Sequence, residues 1–245
     1  MRAAILDTAF YPCPYLSEKT ARMEQFIAYT IGPEEHEALI AHGYRHFGNY
    51  YFRPACGACT SCIPVRIRVE GLSFHRSWRR LLRKSVSLDL RINEMPSIQE
   101  AYDLYTLHKM RFGDGEDSDM RVFRESFFSE HPVSRILTLR DGKLLVAVAH
   151  FDQVPGSLSA VYTYYNDRDY ARVSPGKLSI LHLLQFAVAT GRRYLYLGYY
   201  VHDNPFMRYK ADFTPFEYSP RGGMWSRPEK PLGEISFVPG ESLLR

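Results

Sequence analysis

The chain has 245 residues, of which 45% are apolar and 14% aromatic, and a formal net charge of +4. This apolar content is enough for one large core or two modest cores, and it excludes an intrinsically disordered chain. The first ten residues are too weakly apolar for a signal peptide, and the apolar run 178–190 is too short and too often interrupted to span a bilayer. We therefore expect a cytoplasmic protein.

The N-terminal segment is predicted to contain two helices followed by two strands. Ser17 is a suitable N-cap for a helix over 17–30, and Gly32-Pro33 separates it from a second helix that ends at Gly43. Residues 44–53 and 64–69 are rich in β-forming side chains and are predicted to be strands.

A cysteine cluster lies between these two predicted strands and is expected on a loop. Cys56, Cys59 and Cys62 form two overlapping CxxC steps, and Cys13 lies far upstream. Three thiolates turned toward one point, with a fourth from a distant loop, are suited to a zinc or iron-sulfur site. A loop of free thiols that packs against the N-terminal segment is the alternative.

The segment 75–84 is strongly basic and is predicted to be a helix. Four guanidinium groups then share one face, because they are spaced at i, i+3, i+4 and i+7: Arg76, Arg79, Arg80 and Arg83. Trp78, Leu81 and Leu82 supply an apolar face that can pack. This arrangement favours phosphate or carboxylate binding. A solvated helix without a bound anion is the alternative.

The rest of the chain is predicted to alternate strands and helices in an α+β pattern. A strand at 88–92 precedes helices at 97–112 and 121–129, and three strands follow, in the runs RILTLRDG, KLLVAVAHF and SLSAVYTYYN. Asp141-Gly142 indicates a hairpin between the first two of these runs. A helix over 174–191 then leads to a short strand, YLYLG. This order is typical of an acyltransferase-type fold.

The segment 194–218 combines tyrosines with basic and polar side chains directly after that strand. Aromatic rings stack on unpaired nucleobases while Lys and Arg meet phosphates, so this composition favours an RNA 3′ end, with a tyrosine-rich core edge as the alternative. No phosphate-binding or dinucleotide-binding glycine motif, HExxH motif or nucleophilic serine elbow is present. The reaction therefore requires a donor that arrives activated.

Five stretches together resemble a known family. They are CPYL (13–16), GYRHFGNYYFRPACGACTSCIPVRIRV (43–69), FHRSWRRLLRKS (74–85), LSAVYTYYN (158–166) and YLYLGYYVHDNPFMRYKADFTPFEY (194–218). In this order they resemble the aminoacyl-tRNA–protein transferases of the N-end rule, and among them the bacterial aspartate/glutamate leucyltransferases, which are related to the eukaryotic arginyltransferases.

The resemblance implies a two-part α+β protein, with a small cysteine-bearing region at 1–72 and a GNAT-like acyltransferase domain at 73–245. It implies transfer of leucine from leucyl-tRNA to acceptor proteins with N-terminal Asp or Glu, without a cofactor or a bound metal. Arginyl transfer to the same acceptors is the alternative. Phe112, where the family is expected to have a histidine, and Asn204-Pro205-Phe206 depart from the pattern, which puts donor and acceptor specificity in question.

Site residues follow from the chemistry of an aminoacyl ester and an amine. His202 and Asp203 are expected to accept the proton of the amine, and Tyr162 and Tyr164 to orient donor or acceptor. The substrate-binding set is Arg76 or Arg79 for the acceptor carboxylate and Arg80, Arg83, Arg208, Tyr209 and Lys210 for the tRNA.

Two other functions compete with this prediction. A small-molecule N-acyltransferase of the same fold requires a pyrophosphate-binding R/Q-x-x-G-x-G/A loop, for which SPGKLS (174–179) is a poor substitute. A metal-stabilised RNA-binding module without catalysis is the other, and it predicts stoichiometric metal and no turnover.

Overall fold

The computed structural model describes residues 1–112, 119–220, 222–229 and 232. The predicted second domain, 73–245, thus runs beyond the described residues at its C-terminal end. Among the described residues no helix is long and apolar enough to cross a membrane.

The N-terminal part forms a small antiparallel sheet covered by one helix. Its elements are β1 (Arg2–Ile5), β2 (Tyr11–Pro12), β3 (Thr20–Ala21), β4 (Met23–Thr30), α1 (Pro33–Ala41), β5 (Arg45–Phe47) and β6 (Tyr50–Pro54). The sheet has the strand order β1-β4-β6-β5, and β2 and β3 form a separate ribbon. The predicted second helix is confirmed as α1, and the strands predicted over 44–53 are confirmed as β5 and β6.

The predicted helix over 17–30 is wrong. β4 occupies this segment and pairs with both β1 and β6. Its alternate residues Phe26 and Ala28 are buried against Tyr44 and Tyr51. Pairing on both edges and burial of one face outweigh the helix-favouring composition, whose preferences amount to only a few tenths of a kcal/mol per residue.

The rest of the chain builds a seven-stranded mixed sheet with helices on both faces. Its elements are β7 (Ile63–Arg68), α2 (Arg76–Lys84), β8 (Asp89–Ile92), α3 (Ile98–Lys109), α4 (Met120–Phe127), β9 (Ser134–Asp141), β10 (Leu144–Gln153), β11 (Ser157–Tyr165), α5 (Asp167–Tyr170), α6 (Pro175–Ala189), β12 (Tyr194–Tyr200) and β13 (Phe216–Tyr218). The strand order is β13-β7-β12-β11-β10-β9-β8. The helices and strands predicted between 75 and 198 are confirmed, and the Asp141-Gly142 hairpin joins β9 to β10.

The predicted boundary at residue 72 does not coincide with the change of sheet. β7 lies within the predicted 1–72 region but pairs with β12 and β13 in the large sheet. Residues Ile63 to Ile67 are all buried, as expected for a strand covered on both faces. The change from the small to the large sheet therefore falls between β6 and β7, in the segment that carries the cysteine cluster.

Two hydrophobic cores flank the large sheet. α6 and α2 cover one face, where Leu181 and Leu184 pack on the inward side chains of the central strands. α3 and α4 cover the other face, where Phe123 lies over Tyr164 and Val148. This sandwich fixes the central strands β10, β11 and β12 as rigid supports for side chains at their ends.

Candidate active site between two diverging strands

β11 and β12 are neighbours in the large sheet but pair over only a short length. The two strands run parallel, and residues 157–159 pair with residues 194–196. Beyond this register β11 stays paired with β10 as far as Tyr165, and β12 with β7 as far as Tyr200. A wedge of backbone without sheet pairing therefore opens between their C-terminal halves, and its polar groups require other partners.

Arg45 of β5 fills the narrow end of this wedge. Its Nη1 donates to Ser159 Oγ at 2.9 Å, and its Nη2 donates to the carbonyl oxygen of Ala160. On the opposite strand Gly198 has φ +78°, and a Cβ there would lie 3.3 Å from Arg45 Nε. Glycine is needed at this position because both the backbone conformation and the close approach disfavour a side chain. The small sheet thus places a cation at the centre of the large one.

A second cation, Lys210, lies buried beside Arg45. It belongs to the 3-10 stretch Arg208–Asp212 and its Nζ donates to the Tyr199 carbonyl oxygen at 2.6 Å. Burial, and then the charge of Arg45, lowers the pKa of this ammonium to about 7. In the described part of the chain neither cation forms an ion pair with a carboxylate. The wedge is therefore electropositive and suits an anionic or carbonyl oxygen of a substrate.

Aromatic rings and a histidine border the wide end of the wedge. His108, in the last turn of α3, has its ring centroid 4.5 Å from that of Tyr165. Phe112 packs edge-to-face on Phe206, in the loop after β12, at 4.7 Å. Burial and the nearby Arg111 lower the pKa of His108 to about 4, so its imidazole is neutral at pH 7. This border offers stacking surfaces and one buried, neutral imidazole.

The four residues predicted to be catalytic are spread around the wedge. His202 and Asp203 are exposed on the loop that follows β12, and Tyr162 is half-buried on the side of β11 that faces α3 and α4. Tyr164 is fully buried on that same side, with its hydroxyl 3.1 Å from His150 Nε2. Burial of Tyr164 disagrees with a direct substrate contact, because its ring fills the core. The roles of the other three stay predictions.

The predicted basic helix is confirmed as α2, and its arginines are exposed: Arg76, Arg79, Arg80 and Arg83. Trp78 is buried with its ring centroid 5.7 Å from that of Phe213, which holds α2 against the sheet. Of the remaining predicted substrate-binding residues, Arg208 is exposed and Tyr209 packs against the main core. Lys210 departs from the prediction, because its amine points to the Tyr199 carbonyl instead of outward to RNA phosphates.

The four cysteines lie in one neighbourhood as free thiols. Burial, and then the thiols of Cys13, Cys56 and Cys59, raises the pKa of Cys62 to about 12. Among the described residues no three of these sulfur atoms lie within 4.8 Å of one another. The predicted absence of a bound metal at these thiols stays a prediction.

The sequence prediction missed Arg45 and His108. The available signal for Arg45 was a charged residue within an aromatic strand-forming run, since a buried charge in a strand requires partners. No comparable local signal marks His108, which looks like any histidine in the last turn of a helix.

Comparison with known proteins covers both sheets. The family model for the N terminus of arginine-tRNA-protein transferase matches residues 11–80, and the model for its C terminus matches residues 100–219. An aspartate/glutamate leucyltransferase of Helicobacter hepaticus is 33% identical over 84% of this chain and 87% of its own length. Those of Teredinibacter turnerae and Ruegeria pomeroyi are each 35% identical, over 84% and 89% of this chain and 87% and 81% of their own.

Solved structures are far more distant. The crystal structure of FemX aligns with 75% of this chain and 64% of its own at 10% identity, with a TM-score of 0.48. L-PGS from Bacillus licheniformis aligns with 70% of this chain and 51% of its own at 11% identity, with a TM-score of 0.43. Family membership therefore rests on the sequence relatives. The chain belongs to the arginine-tRNA–protein transferase family.

Proposed function

We propose that this protein transfers leucine from leucyl-tRNA to the α-amino group of acceptor proteins that begin with Asp or Glu, and so marks them for N-end rule degradation. The observation that carries the proposal is the match to relatives named aspartate/glutamate leucyltransferase, at 32–35% identity over 84–90% of the chain. The electropositive wedge supports it, because acyl transfer from an ester develops negative charge on the carbonyl oxygen.

The reaction requires positioning more than activation. The acceptor nitrogen forms a bond to the ester carbonyl carbon, the bond from that carbon to the tRNA ribose oxygen breaks, and a proton passes from the nitrogen to the ribose oxygen. An α-ammonium with a solution pKa of about 8 needs little help to become neutral. The protein must therefore align amine and ester and stabilise the oxyanion, with no cofactor.

The wedge supports a division of these tasks among its residues. We assign the oxyanion to the backbone N–H groups that face the opening beside Arg45. The neutral imidazole of His108, or His202 with Asp203, accepts the amine proton. The rings of Tyr162 and Phe206 contact the leucyl side chain or the terminal base, since every base and apolar side chain presents a surface that aromatic rings can stack on.

Acceptor and tRNA recognition are proposed for the exposed arginines. A guanidinium binds a carboxylate through two parallel hydrogen bonds, and Arg76 or Arg79 is assigned to the acceptor side chain. Arg80, Arg83 and Arg208, with Tyr209 next to Arg208 in the chain, are assigned to the tRNA, whose phosphates the arginines meet. Arg76→Ala is expected to remove discrimination between Asp and Asn acceptors, whereas Arg121→Ala, an exposed arginine on α4, should leave it unchanged. Retained discrimination in Arg76→Ala contradicts this assignment.

We also propose that the large sheet is a GNAT-like acyltransferase fold joined to a cysteine-bearing N-terminal part. The separation of β11 from β12 supports this, because it exposes backbone groups for an acyl donor at the centre of a mixed sheet. A protein that draws on charged tRNA is expected to work in the cytoplasm.

The test is transfer of radiolabelled amino acid from leucyl-tRNA and from arginyl-tRNA to reporters that begin with Asp, Glu, Asn or Lys. We expect label from leucyl-tRNA on the Asp and Glu reporters alone. Arginyl transfer is the second candidate because the matching family models are named for arginine. Arginine on those reporters would move the protein to that branch, and no transfer from either donor would favour an RNA-binding module.

A further inference from the structure

Three buried side chains converge where α1 and the small sheet meet the large sheet. His36 of α1 and Asp152 of β10 are 0% exposed, and His46 of β5 is 4% exposed. His46 Nε2 lies 3.0 and 3.1 Å from the two Asp152 carboxylate oxygens, and His36 Nε2 lies 3.2 Å from one of them. Among the described residues this is the single group of three or more His, Cys, Asp or Glu side chains whose possible metal-ligand atoms all lie within 4.8 Å of one another.

The Nδ1 atom of each imidazole already has a hydrogen-bond partner. His46 Nδ1 lies 2.8 Å from the carbonyl oxygen of Gly48, and a carbonyl only accepts, so Nδ1 carries the hydrogen. His36 Nδ1 lies 2.5 Å from the hydroxyl of Tyr51. Metal-binding histidines commonly have their second nitrogen held in this way by a carbonyl or another polar group. Both Nε2 atoms are thereby directed toward Asp152.

The two Nε2 atoms and the Asp152 carboxylate have too few hydrogen-bond or ionic partners for buried polar groups. His36 Nε2 is buried and has no hydrogen-bond partner of acceptable geometry. Besides the histidines, Asp152 receives a hydrogen bond from Ser134 Oγ at 3.3 Å, and within the described chain no Lys or Arg forms an ion pair with it. A fully buried carboxylate requires a compensating cation.

We propose that His36, His46 and Asp152 bind a divalent transition-metal ion of the zinc class, which ties α1 and the small sheet to β10. Ligand atoms bound at about 2.0–2.1 Å in tetrahedral geometry lie about 3.3 Å apart, close to the 3.0–3.2 Å separations between imidazole nitrogen and carboxylate oxygen. Two imidazoles and one carboxylate form a donor set that suits zinc or iron(II). This site lies next to the wedge, since His46 follows Arg45 in β5, but it does not depend on the transfer reaction.

The three protein ligands leave the fourth tetrahedral position to a water or another small ligand. The ring of His131 packs beside both imidazoles, with centroids 5.2 Å from His36 and 4.9 Å from His46. His131 also lines a cavity of about 780 Å³. None of the three proposed ligands lines this cavity, so a small ligand from solvent would reach the site past His131.

The first test is metal analysis of the full chain with its cysteines changed to serine, so that thiol binding does not contribute. After removal of bound metal and titration with Zn²⁺, we expect one equivalent per chain and a rise in melting temperature that Mg²⁺ does not produce. His46→Ala and Asp152→Asn should lose most of this uptake. His182→Ala, which alters a histidine of α6 bonded to Gln185, should keep it.

The Co²⁺ form of the same cysteine-free chain keeps the test valid if a variant fails to fold. We expect visible d–d bands of a nitrogen- and oxygen-ligated ion without a thiolate charge-transfer band. No uptake of Zn²⁺ or Co²⁺ and an unchanged melting temperature would overturn the proposal. The three side chains would then form a buried imidazolium–carboxylate ion pair. Equal uptake by His46→Ala and the parent would also overturn it.

Discussion

The buried ammonium of Lys210 predicts a measurable pH dependence of stability. Burial and Arg45 lower its pKa from 10.5 to about 7. A group with a folded pKa below its unfolded pKa binds fewer protons when folded, so the free energy of unfolding rises with pH between the two values. At about 1.4 kcal/mol per pH unit, the penalty is on the order of 5 kcal/mol. It is present in full below pH 7 and is gone above pH 10.5.

Lys210→Met removes the charge and keeps most of the side-chain volume. Free energies of unfolding from urea titrations at about pH 7, 8 and 9 should rise for the parent, relative to the variant, by about 1 kcal/mol per pH unit. Loss of the hydrogen bond to the Tyr199 carbonyl lowers the free energy of unfolding of the variant by the same amount at every pH. It therefore does not affect how that free energy changes with pH. Lys143→Met, at an exposed lysine in the β9–β10 turn, serves as the control and should follow the parent. Parallel lines for the parent and Lys210→Met would refute the reasoning.

Three further changes test the local environments. Gly198→Ala should lower the free energy of unfolding in urea titrations by at least about 1 kcal/mol more than Gly191→Ala. Both glycines have positive φ, but of the two only Gly198 has a neighbouring atom within 4 Å of an added Cβ. Equal losses in the two variants would contradict the close approach. Burial raises the pKa of Cys59, but its hydrogen bonds with Ser61 lower it and the net change is downward, whereas the pKa of Cys62 is raised to about 12. Cys59 should therefore react with a disulfide reagent at pH 8 at least tenfold faster than Cys62. Mass spectrometry of the early products measures this, and modification of Cys62 first would disprove it. Phe123→Ala should cost about 3–5 kcal/mol of unfolding free energy, since the ring is 2% exposed; a loss below about 1 kcal/mol would mean that the site collapses around the deletion.

Local signals in the sequence were sufficient where the physics is local. The Asp141-Gly142 turn predicted the β9–β10 hairpin, because Gly142 readily adopts the φ of +55° that the turn uses. The spacing of Trp78 and the arginines predicted α2 with one packed and one charged face. The five motif stretches predicted the family to which the chain belongs, because they occur in the family's order and cover most of the chain.

The tertiary structure decided what depends on distant parts of the chain. β4 is a strand because it pairs with β1 and β6, although its own composition favours a helix. The contact between Arg45 and Ser159 spans 114 positions, and that between His46 and Asp152 spans 106. Such pairs cannot be predicted from a single sequence, because the two residues interact only after the two sheets have packed together. The amino-acid sequence thus determined the family and most of the elements, whereas the packing of the small sheet on the large one determined β4, which charges are buried and where they meet.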